Sequence, residues 1–245
     1  MAFTSILLIL VACAWAVTAK ELLSTVADFV RSLNATEILT KKHDSDSDWM
    51  YVFAYSWTPG FCATQSNDPG CSDPESYWKT HFTLHGLWPQ YTDNGYPSFC
   101  TNEDFDPSSP EEVGMDTMQN YWPNVQANPG DSDYDDFWLH EWTKHGTCST
   151  LTQTTYFQTA INLIKQYGTP SVVSSNIGKS VAADDIRNGF GGSSKVILKC
   201  SSGSLTGAYT CWSQSKGYPS SQVTCPASTN GEDNCGSGSV TIKSL

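Results

Sequence analysis

The chain has 245 residues, 39% of them hydrophobic, which is enough for one sizeable core and does not require two domains. Its 25 Asp and Glu residues outnumber its 13 Lys and Arg residues, so the net charge is −12. This balance excludes nucleic-acid binding by broad electrostatic attraction. A nucleic acid would have to be bound at a local site, and low pH would favour such binding because carboxylates then lose charge.

The first nineteen residues have the composition of an export leader. Residues 1–19 carry no charged side chain, contain an apolar run at 6–11 and end in the small residues Val17-Thr18-Ala19. This pattern predicts a signal peptide that is cleaved after Ala19. The apolar run is too short for a membrane anchor, and no other segment approaches a membrane span.

The rest of the chain is predicted to hold one domain. Residues 20–47 are polar, and we expect a propeptide or a flexible N-terminal arm there, followed by a single domain over residues 48–245. The lone glycosylation sequon, at Asn34, agrees with export. We therefore expect a protein of the secretory route, either secreted or lysosomal (vacuolar in plants).

The cysteine count also fits an exported protein. Of nine cysteines, Cys13 falls in the predicted leader, and an even number of the others in an exported chain predicts four disulfides. Spacing alone leaves their pairing open. The eight are Cys62, Cys71, Cys100, Cys148, Cys200, Cys211, Cys225 and Cys235.

Two early segments alternate as strands do. Residues 49–57 carry aromatic side chains at every odd position and smaller ones between them, which indicates a strand with one bulky face. Residues 81–85 also alternate, with Phe82 and Leu84 on one side. His85 lies on the other side, and we expect it to project from the strand into a cleft.

Three helices are predicted in the middle of the chain. Residues 109–112 (SPEE) resemble a capping box with proline in the first turn, and apolar residues follow at helical spacing up to Trp122. A second helix is predicted over 134–145. A third covers 155–167, with an apolar stripe, and ends at Gly168.

Further strands are predicted late in the chain, over residues 195–200, 207–213 and 239–243. Strands at both ends with helices between them favour an α+β fold over regular βαβ winding.

The second predicted helix gathers groups that can carry chemistry. At 100° per residue, His140, Glu141, Lys144 and His145 fall within an arc of about 140°. The alternative is an ordinary solvated face with ion pairs. The tryptophans at 138 and 142 weaken that alternative because they indicate a partly buried helix.

The residues of this helix could also belong to two other kinds of site. A zincin helix places its two histidines at i and i+4 so that both meet one metal. His140 and His145 are five residues apart and diverge, which argues against zinc. A cysteine hydrolase would use Cys148 as its nucleophile, but in an exported, cysteine-rich chain Cys148 is expected in a disulfide.

Two histidines, a glutamate and a lysine suit RNA cleavage without a metal or another cofactor. The 2′-hydroxyl of RNA attacks its own phosphorus, so one group must take the hydroxyl proton and another must protonate the departing 5′-oxygen. Histidine is suited to both tasks because its ordinary pKa is about 6.5. Cationic neighbours can neutralise the phosphoryl oxygens as charge builds up.

Two motifs carry a resemblance to a known family. The segments HFTLHGLWP at 81–89 and FWLHEWTKHGTC at 137–148 closely resemble the two active-site segments of the T2 family of acid ribonucleases. The resemblance begins at about Trp49, includes SWTPGFC at 56–62, and extends to Cys235 and the terminal strand. It covers nearly all of the predicted domain, and it implies a central antiparallel sheet flanked by helices.

The resemblance also implies roles for the residues of both motifs. His85 corresponds to the general acid toward the leaving 5′-oxygen, and His145 to the general base toward the 2′-hydroxyl. Glu141 and Lys144 correspond to the pair that stabilises the pentacoordinate phosphate. His140 corresponds to a phosphate-binding histidine. In a second step the 2′,3′-cyclic phosphate is hydrolysed and the two proton-transfer histidines exchange roles.

Base-binding residues are implied as well. Trp88 and Tyr96 correspond to aromatic residues that sandwich the first base, and Phe137 to an aromatic residue of the second base site. Two positions depart from the family pattern. Gln90 stands where fungal members carry an aspartate that reads the base, and Tyr55-Ser56 replace a common Gln-Gln pair. The preferred base therefore does not follow from the resemblance.

The resemblance further implies a disulfide pairing: Cys62 with Cys71, Cys100 with Cys148, Cys200 with Cys235, and Cys211 with Cys225. The expected protein is a monomeric endoribonuclease of low base specificity that acts on single-stranded RNA, with no metal, no cofactor and no membrane partner. The alternatives are a catalytically silent signalling or storage protein on the same scaffold, and an extracellular binding module. Both His85 and His145 are present, which argues against a silent scaffold.

Overall fold

The structure is a computed structural model and describes residues 49–245. The predicted leader at 1–19, the arm at 20–47 and the sequon at Asn34 lie outside the described residues. The strands are β1 (Trp49–Ser56), β2 (Thr83–Tyr91), β3 (Ser180–Ala182), β4 (Val196–Ser201), β5 (Ser204–Ser215), β6 (Tyr218–Gln222) and β7 (Ser239–Thr241).

The helices are short except for one. They are α1 (Thr58–Cys62), α2 (Pro69–Ser72), α3 (Ser108–Val113), α4 (Met115–Tyr121), α5 (Asp136–Lys144), α6 (Gln153–Tyr167), α7 (Ser171–Ser174), α8 (Ala183–Gly189) and α9 (Ala227–Asn230), with a 3-10 turn at Gly146–Cys148 after α5. Over residues 49–245 no helix has the length and apolar character needed to cross a bilayer.

All seven strands join one sheet around β5, which is the longest strand. The main path runs β2-β1-β5-β7-β3, and β4 and β6 also pair with β5. The pairings are antiparallel except for one parallel bridge, between Ser204 of β5 and Thr241 of β7. The predicted α+β class, with a sheet, flanking helices and four disulfides, is confirmed.

The two faces of β1 are buried in different places. Its odd residues Tyr51, Phe53 and Tyr55 are fully or almost fully buried in the main core, where α6 also packs its predicted stripe. Its even residues Met50 and Val52 belong to a smaller cluster on the opposite face of the sheet. The predicted strand with one bulky face is confirmed, and the smaller face is the one that carries the candidate site.

A bulge in β2 determines which side chains reach that face. Ala54 of β1 pairs with Gly86 and Tyr55 pairs with Leu84, so His85 has no partner in the ladder. An extra residue reverses the alternation of a strand beyond it. Leu84 and Leu87 therefore both lie in the main core although they are three residues apart.

The helix prediction based on the capping box is wrong in two details. The first helix begins at Ser108, so Ser109 lies inside it and caps nothing; the residue before it is Pro107, which makes no side-chain capping bond. The chain then breaks at Gly114, whose φ of 106° is one that glycine adopts readily, and a separate helix starts at Met115. The strands β3 and β6 and the helix α8 were not predicted.

Four disulfides tie the fold together: Cys62–Cys71, Cys100–Cys148, Cys200–Cys235 and Cys211–Cys225. These are the pairs that the family resemblance implies. Cys100–Cys148 joins the loop after β2 to the turn that follows α5, and Cys211–Cys225 lies in the small cluster on the second face of the sheet.

Candidate active site

A cleft of about 290 Å³ lies over the second face of the sheet. Strand β2, helix α5 and the residue that follows α5 supply the predicted catalytic residues to its walls, namely His85, His140, Glu141, Lys144 and His145. Trp88 and Tyr96 also line it. The structure thus brings both sequence motifs to one place.

Helix α5 is held by its tryptophans. Trp138 and Trp142 are almost completely buried in the main core, and Trp138 Nε1 donates a 2.8 Å hydrogen bond to the carbonyl of Trp122. A Cβ at Gly146 would collide with the ring of Trp142, so glycine is required where the helix ends. This docking turns Glu141 inward, with 1% of its surface exposed, and leaves His140 at the surface.

The end of α5 is anchored from outside by the loop before Cys100. The backbone N–H of Phe99 donates to the carbonyl of Lys144 at 3.0 Å, and the N–H of Cys100 donates to Thr147 Oγ1 at 3.1 Å. Together with the Cys100–Cys148 disulfide, these bonds fix the position of Lys144 and of the residue after it, His145.

His145 is buried against Trp88. The two rings stack with centroids 5.2 Å apart and an interplanar angle of 29°. Its Nδ1 is buried and has no hydrogen-bond partner among the described residues. A ring in these surroundings is costly to protonate, and burial together with the charges of Lys144, His140 and His85 lowers the pKa of His145 to about 3.

Trp88 also contacts the buried carboxylate. Its Nε1 donates a 2.7 Å hydrogen bond to Glu141 Oε2, while the other oxygen, Oε1, lies 3.8 Å from His85 Nε2. Gly86 makes room for this arrangement, because a Cβ there would collide with both the carboxylate and the indole. Trp88, expected to stack on a base, thus has one face against His145 and its N–H on Glu141.

The electrostatics of the cleft follow from burial and crowding. Burial raises the pKa of Glu141 to about 8, although the Trp88 hydrogen bond and Lys144 oppose the shift. Burial, with His140 and Lys144 as neighbours, lowers the pKa of His85; burial and Lys144 likewise lower that of His140. The cleft therefore disfavours further positive charge, and an anion bound there would raise the pKa values of the histidines and favour their protonated forms.

A second, smaller cleft of about 140 Å³ meets the first at His85, which lines both. Phe137 forms part of its wall, with its ring centroid 5.5 Å from that of His85. Ser56, one of the two residues that depart from the family pattern, lines this cleft, whereas Tyr55 is buried in the main core. Asn124 and Gln126 line it as well.

Several residues of the two clefts were not predicted from the sequence. Tyr209, Thr229 and Glu232 complete the larger cleft, and no pattern in the sequence marks them. Gly86 had a usable signal, since a glycine inside an alternating strand often marks a close approach. Within residues 49–245, no cluster of three or more His, Cys, Asp or Glu side chains is arranged as a metal site.

Comparisons with known proteins identify the family of the chain and agree with its fold. The chain belongs to the Ribonuclease T2 family, whose model matches residues 48–220. Ribonuclease 1 of Arabidopsis thaliana is 40% identical over 122 residues, which is 48% of this chain and 50% of that protein. Ribonuclease DdI of Dictyostelium discoideum is 34% identical over 174 residues, 66% of this chain and 72% of that protein.

Among solved structures, ribonuclease MC1 from bitter gourd seeds superposes with a TM-score of 0.61 at 25% identity, over 79% of this chain and 99% of that one. Mutants of ribonuclease MC1 have been solved in complex with 5′-GMP and 5′-UMP. The alignment with the Arabidopsis protein spans only half of that relative's length.

Proposed function

We propose that this protein is an endoribonuclease that cleaves single-stranded RNA through 2′,3′-cyclic phosphates to 3′-phosphates. The observation that carries the proposal is that His85 and His145 line one cleft together with Lys144 and His140. Two groups able to transfer protons thus share the cleft with cations able to bind a phosphate.

In the first step, His145 is the general base. With a pKa lowered to about 3 it is neutral at mildly acidic pH, so it can accept the proton of the 2′-hydroxyl. The 2′-oxygen then forms a bond to phosphorus while the bond from phosphorus to the 5′-oxygen breaks. His85 donates a proton to that oxygen, and the negative phosphate bound beside it favours the protonated ring.

Lys144, His140 and Glu141 stabilise the pentacoordinate phosphate in this proposal. The lysine ammonium neutralises charge on the phosphoryl oxygens, and His140 does so when it is protonated. Because burial raises the pKa of Glu141 to about 8, its carboxyl group is protonated at acidic pH and can donate a hydrogen bond. A carboxylate at the same place would repel the phosphate.

In the second step the roles are exchanged. His85, now neutral, takes a proton from water, the water oxygen attacks the cyclic phosphate, and the bond to the 2′-oxygen breaks. His145 returns its proton to that oxygen, which leaves a 3′-phosphate and restores both histidines.

The two clefts provide places for the bases on either side of the cleaved bond. Tyr96, with 54% of its surface exposed, stands at the larger cleft and can stack on a base of any kind. The smaller cleft offers the ring of Phe137 and the amides of Asn124 and Gln126. Since both clefts meet at His85, the phosphate between two nucleotides would lie beside it.

The protein is proposed to act without a metal, because Lys144 and His140 already supply the positive charge. We also propose a monomer that enters the secretory route and works in an acidic or extracellular compartment.

The test of metal-free cleavage is incubation of the purified protein with RNA at about pH 5, with and without EDTA. Cleavage that EDTA leaves unchanged supports the proposal. Loss of cleavage in EDTA, restored by zinc, would refute the metal-free mechanism.

A further inference from the structure

One wall of the larger cleft comes from a part of the chain that the family match does not include. The match ends at residue 220, whereas Thr229 of α9 and Glu232 just after it both line the cleft. This wall faces the same space as His85 and His145. A nucleotide bound in the cleft would therefore contact residues that lie outside the region matched by the family.

The segment that carries this wall is firmly held. Asn230 Nδ2 donates to the carbonyl of Cys225 at 2.9 Å, and the carboxylate of Asp233 accepts from Arg187 at 2.8 Å and from the N–H of Leu198 at 2.9 Å. The Cys200–Cys235 disulfide closes its far end. These contacts give the segment the fixed geometry that selection of a base requires.

Both polar side chains of this wall have unused hydrogen-bonding capacity. Thr229 is 4% exposed, and its buried Oγ1 has no hydrogen-bond partner among the described residues. The Glu232 side chain is 54% exposed, and one oxygen, Oε2, lies 3.5 Å from Lys199 Nζ. The lysine orients the carboxylate and leaves it able to accept further hydrogen bonds.

Charge decides which part of a nucleotide can lie against this wall. The charge of Glu232 is matched by that of Lys199 beside it, whereas Lys144 and the protonated histidines attract a phosphate. The base, by contrast, is uncharged and flat. The ring of Tyr209 also lines the cleft, and its centroid lies 5.1 Å from that of Trp88. The wall formed by Thr229 and Glu232 is thus placed to meet the edge of the base.

We propose that Glu232 and Thr229 select the base on the 5′ side of the cleaved bond and favour guanine. A carboxylate only accepts hydrogen bonds, and guanine presents two adjacent N–H groups, at N1 and N2, that can donate to it as a pair. Adenine and cytosine offer one amino group each, and uracil offers one N–H between two carbonyl oxygens that the carboxylate repels. The inference rests on the proposed function, because it assumes that the phosphate lies at His85 and His145.

Binding of nucleoside 3′-monophosphates tests the inference without requiring turnover, since they carry a base and a 3′-phosphate in the required relation. Calorimetric titration of the full protein at pH 5.5 with 3′-GMP, 3′-AMP, 3′-CMP and 3′-UMP should give tightest binding of 3′-GMP and weakest binding of 3′-UMP, about 10-fold apart. Glu232→Gln keeps the shape of the side chain but adds a donor, and it should abolish most of this ratio. Thr229→Val should weaken 3′-GMP binding by about 3-fold, the effect of one neutral hydrogen bond.

Glu111→Gln, at an exposed position of α3, is the matched control and should leave the ratio of 3′-GMP to 3′-UMP affinity unchanged. Thermal unfolding of each variant shows whether it is folded. Equal binding of the four nucleotides, preference for another base, or a ratio that survives in folded Glu232→Gln would overturn the inference. Failure of the wild-type protein to cut RNA while 3′-GMP still binds selectively would instead refute the proposed function alone.

Discussion

Trp88 Nε1 donates a 2.7 Å hydrogen bond to Glu141 Oε2, so the side chain expected to stack on a base is also the support of a buried carboxylate. Glu141 is 1% exposed, and among the described residues the indole N–H donates the hydrogen bond that its Oε2 accepts. A buried carboxyl group without such a donor is costly, so the two residues are expected to function as a unit.

The first prediction concerns this unit. Trp88→Phe keeps an aromatic ring but removes the donor that holds the carboxyl group of Glu141, and it should lower kcat by about 10-fold, the upper end of the effect of one hydrogen bond between neutral groups. Because the lost bond stabilises the carboxylate, the pKa of Glu141 should rise further above its ordinary value. The pH profile of kcat measures both effects. Trp49→Phe, whose ring packs against Tyr51 away from the cleft, is the control, and an unchanged profile in Trp88→Phe would contradict the role.

The second prediction concerns proton transfer. His85→Ala and His145→Ala should each reduce kcat by at least about 100-fold, the usual contribution of a general acid or base. The rate of RNA cleavage by each variant at saturating substrate measures the loss of kcat. His81→Ala is a suitable control, because that ring stacks on Tyr77 and lines neither cleft. Near-normal activity in His85→Ala would place the acid role on another group.

The third prediction concerns the nucleophile. Because the 2′-hydroxyl of the substrate attacks phosphorus, DNA of the same sequence should not be cut, and neither should RNA with a single 2′-deoxy position at the cleaved bond. Chromatography of early products should show 2′,3′-cyclic phosphates that later become 3′-phosphates. Direct release of 5′-phosphates would contradict the proposed route.

The fourth prediction concerns the charge of Lys144, which lowers the pKa of both His145 and His85. Lys144→Gln removes that charge, so the imidazolium forms become less costly and both pKa values should rise. Titration of the histidine ring protons by NMR measures the change. Lys179→Gln, at an exposed position far along the chain, should leave them unaltered. A fall in the pKa of His145 in Lys144→Gln would contradict this prediction.

The fifth prediction concerns the Cys100–Cys148 disulfide. It spans 48 residues of sequence, and in the chain-entropy model such a closure contributes about 4 kcal/mol to the free energy of unfolding. Replacing both cysteines by serine should lower the unfolding temperature and also activity, since the disulfide anchors the end of α5 beside His145. The same change at Cys211 and Cys225, which span 14 residues, should lower stability while bulk RNA is still cut. Full activity without the first disulfide would show that it is only structural.

Much of the fold could be predicted from local patterns. The alternation in β1 and the apolar stripe of α6 are strong signals because each residue is buried or exposed according to one period. The break at Gly114 and the short strands β3 and β6 had no comparable signal. The form of β3 depends on a contact distant in sequence, its pairing with β7, whereas β6 is set by a tight hairpin with β5.

The candidate site was only partly predictable for the same reason. His140, Glu141, Lys144 and His145 are close in sequence, so helical geometry alone brings them together. That Trp88 joins them, and that Thr229 and Glu232 close the cleft, depends on packing between elements far apart in the chain. The catalytic and base-binding roles of all these residues stay predictions, whereas the family and the fold class are confirmed.

The unpaired position of His85 in the β2 ladder makes the site sensitive to the length of the strand. Removing His85 would make the pairing of β2 with β1 regular, and it would leave Leu87 opposite Phe53 and Trp88 opposite Val52, so both faces of the strand would be kept. The loss would be confined to the imidazole at which the two clefts meet. A homologue that lacks this one residue would therefore be expected to keep the sheet and both clefts and to lose the proposed proton donor to the 5′-oxygen.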